Sequence, residues 1–237
     1  MKILIFSLLL LFSSNIYSKI DPKTYIPPQA IQYIPIIKEE TKLVFPKFPY
    51  VFYFGALIEH ESCITLTHKK CWNPSSQLKT KRELGVGLGQ LTKAYRDDGS
   101  VRFDTLSDLV KNNNRYLKEL TWNNIIDRPD LQIRAIIILY KDSYDNIALI
   151  KVPGVQRLAM ADSAYNGGIR DVIRSRTVCG LSKDCDPNIW FNNVENYNVK
   201  SKKILYGNRS ARDINNHHVR DVIFVRTHKY IFAFRNN

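Results

Sequence analysis

The sequence predicts a mainly α-helical domain with at most a small sheet near residues 85–90, and three observations carry that expectation. Phe54, Leu57, Ile58 and Glu61 recur at i, i+3, i+4 and i+7, one face of a helix. Residues 131–144 form a long apolar segment in which Ile133, Ile136, Ile137, Leu139 and Tyr140 cover more than one face, as in a central buried helix. Strand-like content is confined to short runs, and Gly85, Gly87 and Gly89 alternate in the one stretch that suggests a tight turn in a sheet.

Taken in order, Met1-Lys2 opens a positive segment, residues 3–12 are apolar, and Ser18 ends a run where a signal peptidase would cut. The run is short against the roughly 20 residues of a membrane span. Residues 1–18 therefore read as a cleaved secretory signal, with an uncleaved, releasable anchor as the alternative. Residues 3–18 would then touch the membrane transiently, before cleavage. Residues 19–47 carry recurrent prolines that forbid one long helix. Ile31, Tyr33, Ile34, Ile36 and Ile37 are too apolar for a free linker, so this extension should pack as short helical pieces on a domain spanning residues 48–237.

Within that domain Glu61 is the first candidate for chemistry. A glutamate completing a core-facing stripe is partly desolvated, and desolvation favours the neutral form that a general acid needs. Glu59, two residues earlier, faces elsewhere on the helix and is expected to be dispensable. The competing reading makes Glu61 a helix-end residue paired with a Lys or Arg. Closely spaced glycines such as Gly87 let backbone approach a ligand, and Gln90 offers it both a donor and an acceptor. Glu83 is the candidate second carboxylate, although Lys79, Lys81 and Arg82 suggest a solvated charged loop around it.

Further along, Leu106, Leu109, Val110 and Leu117 keep helical spacing, and residues 155–164 form the next helix, ending at Asn166-Gly167-Gly168. Residues 193–205 and 219–234 are expected to close the domain as helices.

The formal charge of +13 is spread over many short clusters and forms no single basic stripe. Nucleic acid is therefore disfavoured as a partner, and long-range attraction to anionic wall polymers or membrane surfaces fits an exported protein better. The four cysteines fall into two local pairs, Cys63 with Cys71 and Cys179 with Cys185, whose short loops close at modest entropic cost. Disulfides in those pairs imply an oxidising compartment, periplasmic or extracellular. The alternative, a metal site, lacks C-x-x-C spacing. His217-His218 has no clustered ligands beside it and reads as a solvated pair. No cofactor is implied.

Three motifs then occur in a telling order: Glu61-Ser62, Gly87-Leu88-Gly89-Gln90-Leu91-Thr92, and Ala164-Tyr165-Asn166-Gly167-Gly168. This resembles the soluble lytic transglycosylases of the goose-type lysozyme superfamily, with their E-S, G-L-M-Q, A-Y-N-A-G and closing T-R-x-Y-V. Gly89 replaces the methionine, and Thr227-His228-Lys229-Tyr230-Ile231 keeps only part of the closing motif. The resemblance covers residues 48–237 and implies a lysozyme-like fold that binds peptidoglycan glycan strands. It assigns Glu61 as the catalytic acid and Ser62, Gly87, Gln90, Tyr165 and Asn166 as substrate-binding residues, with Tyr230 positioning the glutamate. The implied activity is lytic transglycosylation of peptidoglycan. A lysozyme-type hydrolase using Glu83, or an inactive wall-binding or virion protein of the same fold, are the alternatives.

Overall fold

A computed structural model describes residues 20–148, 152 and 154–236. The signal segment read at residues 1–18 lies outside them. The described chain is mainly helical with a small four-stranded antiparallel sheet and a two-stranded hairpin. No described helix is long and apolar enough to cross a membrane.

Helices α1 (Pro28–Ile31) and α2 (Ile34–Val44) both carry proline in their first turn, where its missing N–H would have no partner anyway. They are short because the same prolines would break a longer helix. Ala30, Ile34 and Ile37 bury completely in the same apolar cluster as the rest of the chain. Glu40 of α2 forms a two-pronged ion pair with Arg134, at 2.5 and 2.9 Å.

Helix α3 (Tyr53–Ser62) runs through the centre, with every residue from Tyr53 to Glu59 buried. The sheet follows: β1 (Gln77–Lys79), β2 (Glu83–Val86), β3 (Leu91–Tyr95) and β4 (Val101–Asp104), antiparallel in chain order. It is wider than the sequence suggests, and residues 87–90 form its β2–β3 turn. Asp104 ends β4 and caps α4 (Thr105–Asn112) by accepting the Ser107 N–H at 2.9 Å. The apolar spacing that continues to Leu117 is interrupted at Asn113, and a separate turn, α5 (Asn114–Leu117), follows.

Helix α6 (Pro129–Ala148) is the central buried helix: Ile133, Ile136, Ile137 and Tyr140 are fully enclosed. It packs on α2 on one side and α7 (Gly154–Gly167) on the other. Helix α8 (Ile169–Gly180) then packs on α7.

The helix expected over residues 193–205 does not form. A short 3-10 turn, Val194–Tyr197, and a hairpin of β5 (Ile204–Tyr206) and β6 (Arg209–Ser210) replace it. Asparagine chemistry explains the difference, because such side chains compete with helical backbone bonding. The Asn196 amide returns to the Asn192 carbonyl, and Asn198 donates to Asn215 and Asn216.

Residues 211–236 are helical throughout. A reciprocal capping box of Ser210 and Asp213 starts α9 (Ala211–Arg220). A π-helical stretch, Asp221–Arg226, joins it to α10 (Thr227–Asn236). The wider turn and α10 both lie against α3. The cysteines pair as Cys63–Cys71 and Cys179–Cys185.

Candidate active site

A cavity of about 500 Å³ opens between α3, the sheet and α7. Glu61 and Ser62 enter it from the end of α3, and Tyr165 and Asn166 from the end of α7. Its other wall is the face of the sheet that carries Glu83, Gly85 and Thr92, with Gly89 and Gln90 at the turn. Strand pairing explains that wall: Gly85 lies opposite Thr92, so both point to one side, while Leu84 and Lys93 point to the other.

The loop after α3 is held in three ways. Ser62 donates its hydroxyl to the Ile58 carbonyl at 2.7 Å and accepts the Trp72 N–H at 3.1 Å. The Cys63–Cys71 disulfide closes the loop between those anchors. Ser62 lines the cavity, but its hydroxyl serves the loop.

Around the β2–β3 turn, Gly87 takes φ +82°, a conformation that disfavours any side chain. A Cβ there would also run into Gln132. Gly87 donates its N–H to Ser76 and is buried outside the cavity wall, so it shapes the turn and does not meet a ligand there. Gln90 donates its amide to the Gly87 carbonyl at 2.8 Å while lining the cavity. Gly89 stands where any side chain would strike Ile136 and the Tyr165 hydroxyl. That room lets Tyr165 donate to the Gly89 carbonyl at 3.0 Å, locking α7 to the turn. Burial, then Glu61 and Asp162 nearby, push the Tyr165 hydroxyl well above its ordinary pKa and keep it protonated. Asn166 accepts from Asn215 at 2.9 Å, which ties the cavity rim to α9.

Tyr230 is not at this cavity. It is fully buried and donates its hydroxyl to Glu59 at 2.7 Å. Glu59, expected to be dispensable, is itself fully buried and also pairs with Arg226 at 2.8 Å and Lys229 at 2.6 Å. The two glutamates of α3 do face different ways, but the direction away from the cavity is the packed interface with α10, not solvent. Next to Glu59, His60 meets Asp221 at 2.6 Å, and Asp221 in turn pairs with Arg226. Despite its burial, the hydrogen bond with His60 and the Arg226 charge hold the Asp221 carboxyl below its usual range.

What engages Glu61 is a residue that sequence reasoning set aside. His218 of α9 lies with Nε2 2.8 Å from Glu61 Oε1 and Nδ1 2.8 Å from Asp162 Oδ2. Asp162, on α7, also accepts the Tyr53 hydroxyl, so Tyr53, Asp162, His218 and Glu61 form one chain from core to cavity. His218 is not solvated; its side chain is 2% exposed, whereas its neighbour His217 is exposed. Burial opposes charge on this ring, but Asp162 and Glu61 outweigh it and push its pKa up to about 10. His218 is therefore an imidazolium at neutral pH, donating from both nitrogens. A signal for it exists in the sequence. Asp162 is a lone carboxylate in Ala159-Met160-Ala161-Asp162-Ser163-Ala164, a run of small and apolar residues that is buried on all sides, so the carboxylate needs a cation or donor beside it.

The described residues contain no His, Cys, Asp or Glu group arranged to hold a metal ion. Compared with protein-family models, curated proteins and solved structures, the chain matches none of them.

Proposed function

We propose that this protein is an exported peptidoglycan lytic transglycosylase that cleaves between N-acetylmuramic acid and N-acetylglucosamine. The observation that carries the reading is the position of Glu61. It is a carboxylate on the wall of a cavity whose far sides present Gln90, Tyr165 and Asn166, the residues that the resemblance marks as sugar-binding. Tyr165 supplies a ring face for stacking on a sugar, its hydroxyl being committed to the turn.

In this reaction Glu61 gives its proton to the glycosidic oxygen while the C1–O electron pair leaves with that oxygen. The carboxylate then takes the proton of the sugar's own 6-hydroxyl, whose oxygen closes on C1. Tethering the nucleophile provides a large effective molarity and removes the need for a water-activating base. Thr92 occupies the place where goose-type lysozymes carry an aspartate, and its hydroxyl donates to the Gln90 carbonyl at 2.8 Å. The two disulfides support an oxidising compartment.

One observation favours a second reading. Glu83 lines the same cavity, from the start of β2, and would be the second carboxylate of a lysozyme-type hydrolase. Digestion of purified peptidoglycan followed by mass spectrometry separates the two. Products ending in 1,6-anhydro-N-acetylmuramic acid support the transglycosylase, and reducing ends overturn it.

A further inference from the structure

We propose that His218, clamped by Asp162, is the positioning residue for Glu61: it fixes the carboxylate at the cavity wall and stabilises the anion left when the proton departs. The inference rests on Glu61 being the acid of the reaction proposed above, and it adds a partner that the motif resemblance does not assign to this position.

The geometry is that of a closed clamp. His218 is 2% exposed and Asp162 fully buried, while the Glu61 side chain is 15% exposed, so only Glu61 reaches the cavity. His218 engages Glu61 through Oε1, and among the described residues no hydrogen bond holds Oε2. One carboxylate oxygen is thus fixed and the other left for substrate. Asp162 is itself fixed by the Tyr53 hydroxyl. Helix α9 is held against α7 beside the clamp, since Ser163 donates to Asn215 at 2.7 Å and Asn215 donates back to the Ser163 carbonyl at 3.0 Å.

The groups facing His218 decide its charge. From α3 come Glu61 and His60, whose ring lies 4.2 Å away in an edge-on contact. From α7 comes Asp162, with Tyr165 beyond Glu61; from the π-helical stretch Asp221 stands behind His60. Burial and then the His218 charge lower the pKa of His60, so His60 does not compete for the proton. His218 is thus the one cation set between Asp162 and Glu61.

That cation acts on the step in which charge develops. As the O–H bond of Glu61 breaks and the proton joins the glycosidic oxygen, negative charge appears on the carboxylate 2.8 Å from an imidazolium N–H. A preorganised donor aimed at developing charge needs no reorganisation, and removing one such donor costs about 10²- to 10³-fold in turnover. His218 keeps both its protons throughout, and Glu61 later regains one from the attacking 6-hydroxyl.

The test combines two variants with a measurement on the native side chain. His218→Gln offers an amide donor without charge, and His218→Ala offers neither. On purified peptidoglycan, His218→Gln should lower kcat about 10²-fold with KM unchanged. Its pH profile should differ from that of the wild type, because the titrating ring that faces the carboxylate is gone. His218→Ala should lose more. Independently, nitrogen NMR of the His218 ring should show an imidazolium from pH 6 to 9 in the wild type and in Glu61→Gln. Asp162→Asn should lose that pattern. A wild-type rate and pH profile in folded His218→Gln would overturn the proposal, and so would a neutral ring in the wild-type spectrum, which needs no variant to fold. Failure of the underlying reading looks different: Glu61→Gln would then retain full turnover.

Discussion

Tyr230 donates its hydroxyl to Glu59 Oε2 across 2.7 Å, fastening the last helix to α3 two residues before the cavity carboxylate. Arg226 and Lys229 converge on the other oxygen of the same glutamate. Helix α3 is thereby held from behind by a buried ionic cluster, while its front meets the clamp of His218 and Asp162.

Glu59→Gln should accordingly destabilise the protein. It removes the only negative charge paired with Lys229 and one of the two paired with Arg226 among the described residues. Leaving a buried charge without its partner costs about 3–5 kcal/mol. Thermal melting of the variant should show a clearly lowered midpoint. A midpoint equal to wild type would mean that the cluster contributes nothing.

Glu61→Gln should behave in the opposite way. Glutamine still accepts from His218 Nε2 and keeps the size of the side chain, so the melting midpoint stays near that of the wild type. Wall cleavage should fall by orders of magnitude, since the amide exchanges no proton. The pair of variants on one helix thus separates fold from chemistry, and equal loss of stability in both would contradict the division.

Stability should also depend on alkaline pH through His218. Its folded pKa, about 10, lies above the ordinary value of 6.5. A raised folded pKa contributes stability that is complete below about 6.5 and is lost as pH rises through about 10. Denaturant midpoints measured between pH 6 and 10 should fall for the wild type. In His218→Gln that part of the slope should vanish; an unchanged slope would place its origin in other groups.

The two disulfides should differ in what they affect. They close loops of similar sequence separation, 8 and 6 residues. On the chain-entropy model each is worth roughly 2–3 kcal/mol. Only Cys63–Cys71 adjoins the cavity, where Ile64 and Lys70 of its loop form part of the wall. Alanine replacement of that pair should reduce activity as well as stability, whereas replacement of Cys179 and Cys185 should reduce stability alone. Comparable activity losses in the two variants would refute the distinction.

The parts of this molecule legible in the sequence are those in which apolar period and burial coincide. The stripe of α3 and the apolar run of α6 are of this kind, and so are the local cysteine pairs. Helix α8 is not legible in the sequence because its buried face is Val172, Ser175, Arg176 and Cys179, a helical spacing with two polar members. Arg176 can be buried only because it donates to the Pro187 carbonyl and to Asn188, contacts between segments that no local pattern announces. His218 escaped for the same reason. Its partners Asp162 and Glu61 lie 56 and 157 residues away in the chain, and proximity of that kind is a product of helix packing. A tyrosine in a partly matching motif fits two roles, and the burial of Tyr230 with its hydroxyl on the Glu59 that Arg226 and Lys229 also hold selects the structural one.

Under the proposed function, Glu83 is the residue that separates the two reaction classes. It is exposed at the start of β2, opposite Ala94 in the register, yet it belongs to the cavity wall. A hydrolase needs a carboxylate that activates water, and among the cavity-lining residues described only Glu83 and Glu61 carry one. A transglycosylase makes no such demand, because the attacking hydroxyl belongs to the substrate. Glu83→Gln should therefore leave turnover within a few-fold of wild type, with anhydro ends still the main product. Borohydride should not reduce those ends, since no free reducing sugar forms. If Glu83→Gln instead abolishes cleavage in a folded protein, and the wild-type products are reducible, the cavity activates water and Glu83 is its base.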